Sequence, residues 1–240
     1  MALIGEQKNR LTILWERIAD YVFPRECFGC GKEGEYLCSA CFDKIELVKI
    51  HCFICGEKPS ELGICLNCRA ATKLDRVIVA AHYGDAVVRE IVESFKFDYI
   101  KGLDVLLANI LERRINRNYL AGAVSRSVLA PIPLHHKRLL ARGFNQALEL
   151  AKLIALKYNC EIAEGLVKRK KNTEQQSKLK REERLMNVKD AFSVNINAPV
   201  PRKVILIDDV LTTGATFSEV GKALKSSGVK EVWAMAVCHG

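Results

Sequence analysis

Val204-Ile-Leu-Ile-Asp-Asp-Val-Leu-Thr-Thr-Gly-Ala-Thr216 decides the reading of this chain. Val204 to Ile207 is an unbroken apolar run, the pattern of a parallel strand buried on both faces. Two carboxylates, Asp208 and Asp209, follow at its carboxyl end, and then a short Thr/Gly loop. A helix is predicted from about Phe217 to Ser226, stopped by Gly228, with the next strand over Val232 to Val237. Strand, loop and helix in this order aim backbone N–H groups and the positive helix end at a phosphate. Gly214 allows the unusual torsions of such a loop. Thr212, Thr213 and Thr216 add hydroxyl donors. The acidic pair lies where a sugar carrying that phosphate would present its hydroxyls, or where a divalent cation would be shared. Neither G-x-x-x-x-G-K-[ST] nor G-x-G-x-x-G occurs, so the loop is not of the P-loop or dinucleotide-binding type.

Working outward, strands alternate with helices. Strands are predicted at Val77–Tyr83 and Val124–Ile132. Helices are predicted at Ala86–Phe95, with Val87, Ile91 and Phe95 inward, at Leu103–Ile115, and at Phe144–Tyr158, with Leu148, Ala151, Leu153 and Ile154 inward. This alternation means an α/β domain with a mainly parallel sheet flanked by helices, over residues 71–240.

The amino-terminal part has a different character. Eight of the 10 cysteines form four C-x-x-C pairs: Cys27/Cys30, Cys38/Cys41, Cys52/Cys55 and Cys65/Cys68, separated by 7, 10 and 9 residues. Each pair makes a knuckle with both sulfurs on one side, and two knuckles complete a closed, structural four-thiolate zinc site. One or two Zn2+ ions are implied, with sequential pairing the simplest and interleaved pairing open. Disulfides, redox pairs and an iron–sulfur cluster are the competing readings; four pairs in a row do not look like a thioredoxin-type motif. Residues 24–70 hold few large apolar side chains, so metal must supply much of their folding free energy. Residues 1–23 carry Leu11, Leu14, Trp15, Ile18 and Val22 at helical spacing, a helix ending before Pro24. Cys160 and Cys238 stand outside the array and read as packing residues.

Composition bounds the function. Of 240 residues, 49% are hydrophobic and 27% charged, which excludes a disordered or fibrous chain. The opening residues offer no unbroken apolar run of ~7–15 residues such as an export signal needs. No run approaches the ~20 apolar residues of a membrane span, so a cytoplasmic location without membrane insertion is expected. The net charge is +9, and it is concentrated: His135–Arg142 carries +3 and Lys168–Arg184 carries +5. The first run follows a strand's carboxyl end, the edge where ligands bind in open α/β sheets. Arginines there suit a polyphosphate, through bidentate contacts to its oxygens.

The stretch around Asp208 resembles the signature of type I phosphoribosyltransferases, which bind phosphoribosyl pyrophosphate (PRPP). The resemblance implies that Asp208 and Asp209 meet the ribose 2′- and 3′-hydroxyls. It gives the 5′-phosphate to Thr212, Thr213, Gly214, Ala215 and Thr216. Pro131-Ile-Pro133, His136, Arg138 and Arg142-Gly-Phe-Asn-Gln-Ala147 narrow it to the ComF/GntX family. So do Arg169, Thr173, Gln176, Leu179, Glu183-Arg184, Asn187-Val188 and Ala191-Phe192. Asp190 departs from that pattern, standing where a small residue is common. The family couples a double zinc ribbon to a phosphoribosyltransferase-like domain. What it implies is a pyrophosphate loop at 131–142 with Arg138 and Arg142, and a closing loop at 168–187 with Arg184. Asp208, Asp209, Arg142 and Arg184 become the candidate catalytic residues, and Mg2+ is expected with PRPP. Family members are linked to natural transformation, so single-stranded DNA and a DNA-translocating ATPase are expected partners. Phosphoribosyl transfer in nucleotide metabolism and PRPP sensing without turnover remain open alternatives. The acceptor is not legible.

Overall fold

The computed structural model describes residues 24–57, 60–97, 100, 102–170, 187–195 and 200–240. The helix expected over 11–23, Arg184 and most of the basic run 168–184 lie outside the described residues. The chain divides into two compact units, residues 1–45 and 46–240.

The first unit contains two knuckles. Cys27 O accepts from Cys30 N and Gly31 N, at 3.2 and 2.8 Å, which closes the first turn. The second knuckle opens helix α1 (Ser39–Lys44), with Cys38 as its N-cap.

The second unit begins with the other pair of knuckles. Cys52 O accepts from Gly56 N at 2.8 Å, and Cys65 caps helix α2 (Leu66–Thr72). Strand β1 (Arg76–His82) follows, then α3 (Ala86–Phe97) and α4 (Leu103–Arg117). After them come α5 (Ala121–Val124), β2 (Val128–Pro131), α6 (His136–Arg142), α7 (Gln146–Tyr158) and β3 (Glu161–Ile162). The chain continues through β4 (Val167–Arg169), β5 (Phe192–Val194), β6 (Lys203–Leu211), α8 (Ala215–Ser226) and β7 (Glu231–His239). Five parallel strands form one sheet in the order β1-β7-β6-β2-β3, and β4 pairs with β5 antiparallel. No helix among the described residues is long and apolar enough to cross a membrane.

The expected fold class holds, with local corrections. The ladder of β6 runs on through the acidic pair, with Asp208 beside Ala236 and Leu211 beside His239, so both aspartates lie within the strand. Helix α8 starts two residues earlier than expected because Gly214, at φ 73, turns the chain directly into it. Val124 ends a single helical turn, not a strand, and β2 begins only at Val128. In α3 Val88 is buried alongside Ile91, Val92 and Phe95, while Val87, expected inward, is half-buried. In α7, Ala147 and Leu150 are inward with Ala151 and Ile154, while Leu148 and Leu153 are half-buried. Helix α7 packs on β6, β2 and α4 together, so its apolar residues span more than one narrow stripe. Cys238 is fully buried, as a packing residue should be, and Cys160 is half-buried.

One face of the sheet shares its core with the second pair of knuckles. Cys52, Phe53 and Ile64 pack in one cluster with Val77, Val79, Leu206, Leu211, Ala215, Phe217 and Val220. Gly63 makes this close approach feasible: a Cβ there would lie 2.0 Å from the Val77 carbonyl oxygen.

Candidate functional site

At the carboxyl edge of the sheet a cavity of about 630 Å3 opens. Asp208, Asp209 and Thr212 from β6 and its loop form one wall, with Thr216 from α8 beside them. Arg138 and Arg142 from α6, and Arg169 at the end of β4, form the basic side. Lys96 and Phe97 at the end of α3, Tyr83 after β1 and Gln146 at the start of α7 also line it.

The strand geometry explains the carboxylates. Alternation along β6 buries Asp209, at 4% exposed, while Asp208 is half-buried. Two acids side by side in a nearly dry place need compensation. Lys96 Nζ supplies it at 3.1 Å from Asp209 Oδ2. Asp209 N also donates to Asp208 Oδ1 at 2.9 Å. Burial, and then the neighbouring Asp209 charge, push the Asp208 carboxyl well above the ordinary carboxylate range.

The basic side is equally crowded. Burial lowers the Arg142 pKa, while the charges of Asp209 and Asp208 draw it back up, so Arg142 faces the acidic pair. Burial and then Arg142 lower Arg138. Burial, then Arg138, bring Arg169 down to about 10, against the opposing pull of Asp208. Three guanidiniums held close to one another in a half-dry cleft are poised for an anion with several negative oxygens. Arg142 also sits over the Phe97 ring, 5.5 Å from its centroid.

The expected site residues thus divide. Asp208, Asp209, Thr212, Thr216, Arg138 and Arg142 line one cavity. Thr213, Gly214 and Ala215 stand behind it: Gly214 and Ala215 are buried, and Thr213 Oγ1 accepts from Ala215 N at 3.4 Å. The basic segment 135–142, expected as a loop, is mostly the short helix α6, whose N-cap His135 accepts from Lys137 N. No residue of α6 is buried, so it has no apolar stripe to reveal it. Lys96, Tyr83, Phe97 and Gln146 join the site without having been expected there. Lys96 ends an ordinary amphipathic helix, and nothing local marks it as the partner of Asp209. Asp190 adopts φ 55, a left-handed conformation that Asp tolerates better than most side chains.

The cysteines gather as two sequential tetrads, Cys27/Cys30/Cys38/Cys41 and Cys52/Cys55/Cys65/Cys68, each with all sulfurs within 4.8 Å. Cys27 and Cys38 sulfurs are 3.7 Å apart, Cys30 and Cys38 3.8 Å, and Cys55 and Cys65 4.0 Å. Tetrahedral Zn–S bonds of ~2.3 Å place sulfurs ~3.8 Å apart, so both tetrads fit structural zinc.

The second tetrad touches the loop behind the cavity. A Cβ on Gly214 would meet Ile54 Cδ1 at 2.4 Å, and Ile54 lies inside the Cys52/Cys55 knuckle. The next residue back, Phe53, bonds through its carbonyl to His239 Nε2 at 3.0 Å.

Residues 140–240 match the phosphoribosyl transferase domain family, and residues 18–69 the double zinc ribbon domain family. The class is therefore a phosphoribosyltransferase-like domain joined to a double zinc ribbon. Over 235 residues the chain is 33% identical to Competence protein F of Haemophilus influenzae, covering 89% of this chain and 97% of that protein. It is 30% identical to Competence protein ComFC of Bacillus subtilis over 206 residues, 82% of this chain and 81% of the relative. It is 25% identical to the DNA utilization protein YhgH of Escherichia coli over 207 residues, 85% and 90% of the two chains. The chain belongs to the ComF family.

Proposed function

We propose that the cavity at the carboxyl edge of the sheet binds PRPP. We also propose that the chain acts in the cytoplasm on single-stranded DNA during natural transformation, beside a DNA-translocating ATPase. The observation that carries the PRPP reading is the convergence of the acidic pair, Thr212 and Thr216 from the two ends of the Thr/Gly loop, and three arginines on one cavity. In this reading Asp208 and Asp209 hold the ribose hydroxyls, and Thr212 to Thr216 hold the 5′-phosphate. Arg138, Arg142 and Arg169 hold the pyrophosphate, with Arg184 from outside the described residues. Mg2+ bound with PRPP would neutralise part of its charge and stabilise pyrophosphate as it leaves. The nucleic-acid part draws on the relatives' names, which speak of competence and DNA utilization.

A melting experiment tests the PRPP reading. Ligand at ~100-fold over its dissociation constant stabilises by ~2.7 kcal/mol. At ~2–4 °C per kcal/mol, the melting temperature rises by roughly 5–10 °C with PRPP and Mg2+. Asp208→Asn/Asp209→Asn abolishes the shift. No shift at millimolar PRPP refutes the reading.

One feature favours turnover over sensing alone. Gln146 is 3% exposed, and its side-chain oxygen has no hydrogen-bond partner among the described residues. It lines the cavity together with Phe97 and Tyr83, a setting that suits a planar polar acceptor. Turnover requires PRPP-dependent release of pyrophosphate with some nitrogenous base. Silence across a panel of bases leaves PRPP sensing as the supported role.

A further inference from the structure

A second basic cavity, of about 340 Å3, opens at the other edge of the sheet, where β1, β6 and β7 begin. Its lining includes Arg69, Arg76, Arg202 and Lys230 against two acids, Asp75 and Glu231, with Trp233 in the wall. The cations come from distant parts of the chain, so counting charge along the sequence does not reveal them. The fold brings them together: the Arg202 carbonyl accepts from both Lys230 N and Glu231 N at 3.0 Å.

The two acids are already engaged. Asp75 Oδ1 accepts from Arg69 at 2.9 Å, and its Oδ2 from Lys225 Nζ at 2.6 Å and Val232 N at 2.8 Å. Glu231 Oε1 accepts from Trp233 Nε1 at 2.7 Å and lies 3.8 Å from Lys203 Nζ. Among the described residues no ion pair joins Arg76, Arg202 or Lys230 to a carboxylate. Arg76 Nε is buried with no hydrogen-bond partner among the described residues. The Arg76 guanidinium lies 4.9 Å from the Trp233 ring centroid, and Lys203 Nζ 3.3 Å from it. Glu231 and Glu61 act on Arg76 through their charge, so the groove's available positive charge is carried by exposed Arg202 and Lys230, which have no carboxylate ion pair among the described residues and make the concavity a seat for an oxyanion.

We propose that this groove seats the phosphodiester backbone of a single-stranded nucleic acid, on the edge of the sheet opposite the PRPP cavity. Asp75 is occupied by Arg69, Lys225 and Val232, so no carboxylate pair stands free here to hold ribose hydroxyls, and PRPP does not fit this groove. Trp233 is 5% exposed beneath its cations, so bases do not stack on it and the strand is held by phosphate contacts. Binding here is indifferent to base sequence and steeply dependent on salt. The proposal rests on the nucleic-acid part of the function given above.

The test is fluorescence anisotropy of a labelled oligothymidylate with the full chain across a salt series. Arg202→Glu/Lys230→Glu is expected to weaken binding by about tenfold or more. Arg202→Gln/Lys230→Gln lowers the log–log salt slope by about 1.4, because each phosphate of a single strand that is no longer neutralised removes ~0.7. Both variants keep the PRPP melting shift, which shows that they fold, and PRPP with Mg2+ does not displace the oligonucleotide. Binding and slope unchanged in both variants overturn the proposal. So does displacement by PRPP together with loss of binding in Arg138→Ala/Arg142→Ala, which moves the strand to the other edge. No binding by the unaltered chain overturns the nucleic-acid reading and the proposal together.

Discussion

Gly214→Ala separates the Thr/Gly loop after β6 from its support. Gly214 adopts φ 73 and ψ 5, a left-handed conformation that an alanine enters at a cost of ~1 kcal/mol. The added methyl would also lie 2.4 Å from Ile54 Cδ1. That atom ends a side chain, so part of the collision can relax. The knuckle that carries it cannot move freely, being anchored by buried Cys52, by Phe53 N on the Gly63 carbonyl at 3.0 Å, and by Phe53 O on His239. Overpacking of this kind costs ~1–3 kcal/mol. The sum, about 2–4 kcal/mol, lowers the melting temperature by roughly 5–15 °C in a domain of this size.

Urea denaturation of Gly214→Ala, Ile54→Ala and the double variant closes a cycle. Shortening Ile54 removes the collision but leaves the backbone penalty. The double variant is therefore expected to be more stable than the sum of the single losses by ~1–2 kcal/mol. The PRPP melting shift disappears in Gly214→Ala and returns in part in the double variant. Losses that add within ~0.5 kcal/mol refute the contact between knuckle and loop as the cause.

Three further outcomes follow from the site. Asp208→Asn is expected to raise the melting temperature of the ligand-free chain at pH 8 while abolishing the response to PRPP. The fold raises the Asp208 pKa and so favours its neutral form; that stabilisation is present below the ordinary carboxylate value and is lost as pH rises through the raised one. The gap between variant and parent should therefore close toward pH 4, and identical melting curves across this range contradict the assignment. Lys96→Met leaves Asp209 buried without its cation and costs ~3 kcal/mol in urea denaturation. Adding Asp209→Asn restores most of that loss, and a silent Lys96→Met contradicts the pairing. Chelation under reducing conditions, or Cys55→Ser, is expected to lower both the melting temperature and the PRPP shift, because Ile54 then loses the knuckle that holds it. An undiminished shift in zinc-free protein separates the tetrad from the loop.

The parts of the site legible in the sequence are those carried by contiguous residues. Asp208, Asp209 and the loop to Thr216 sit in one run, so their shared position at the sheet edge could be read from the sequence, while the sugar-phosphate chemistry assigned to them is the proposal made above. The C-x-x-C spacing likewise announces zinc, though not which pairs combine. Lys96 reaches the cavity from the end of a helix whose pattern reports only packing, and Gln146, although part of the Arg142–Ala147 motif, carries no local sign that its side chain turns into the cavity. The end of β6 is hidden for a different reason: the apolar run stops at Ile207, while the backbone ladder continues to Leu211 because β7 offers it partners as far as His239. The amino-edge groove is invisible in the sequence because its cations are brought together by the starts of the strands, not by proximity along the chain.

The compact units place the second tetrad with the sheet: residues 46–240 include Cys52, Cys55, Cys65 and Cys68, while the first tetrad lies within 1–45. The physical reason is the density of packing around Cys52 and Phe53. They enter the same core as Phe217 and Val220 of α8, the helix that starts at the Thr/Gly loop. Zinc there does more than replace a missing core. Its ligands fix Ile54 against Gly214, and Gly214 sets the torsion that starts α8 and aims its first amides. A rigid loop loses less entropy on gripping a ligand, so on the PRPP reading proposed above metal in this tetrad would lower the cost of binding without touching the ligand. The expected signature is a fall in PRPP affinity on metal loss that Ile54→Ala reproduces with the zinc retained. An Ile54→Ala chain that holds zinc and binds PRPP as tightly as the parent would show that the loop is organised by α8 alone.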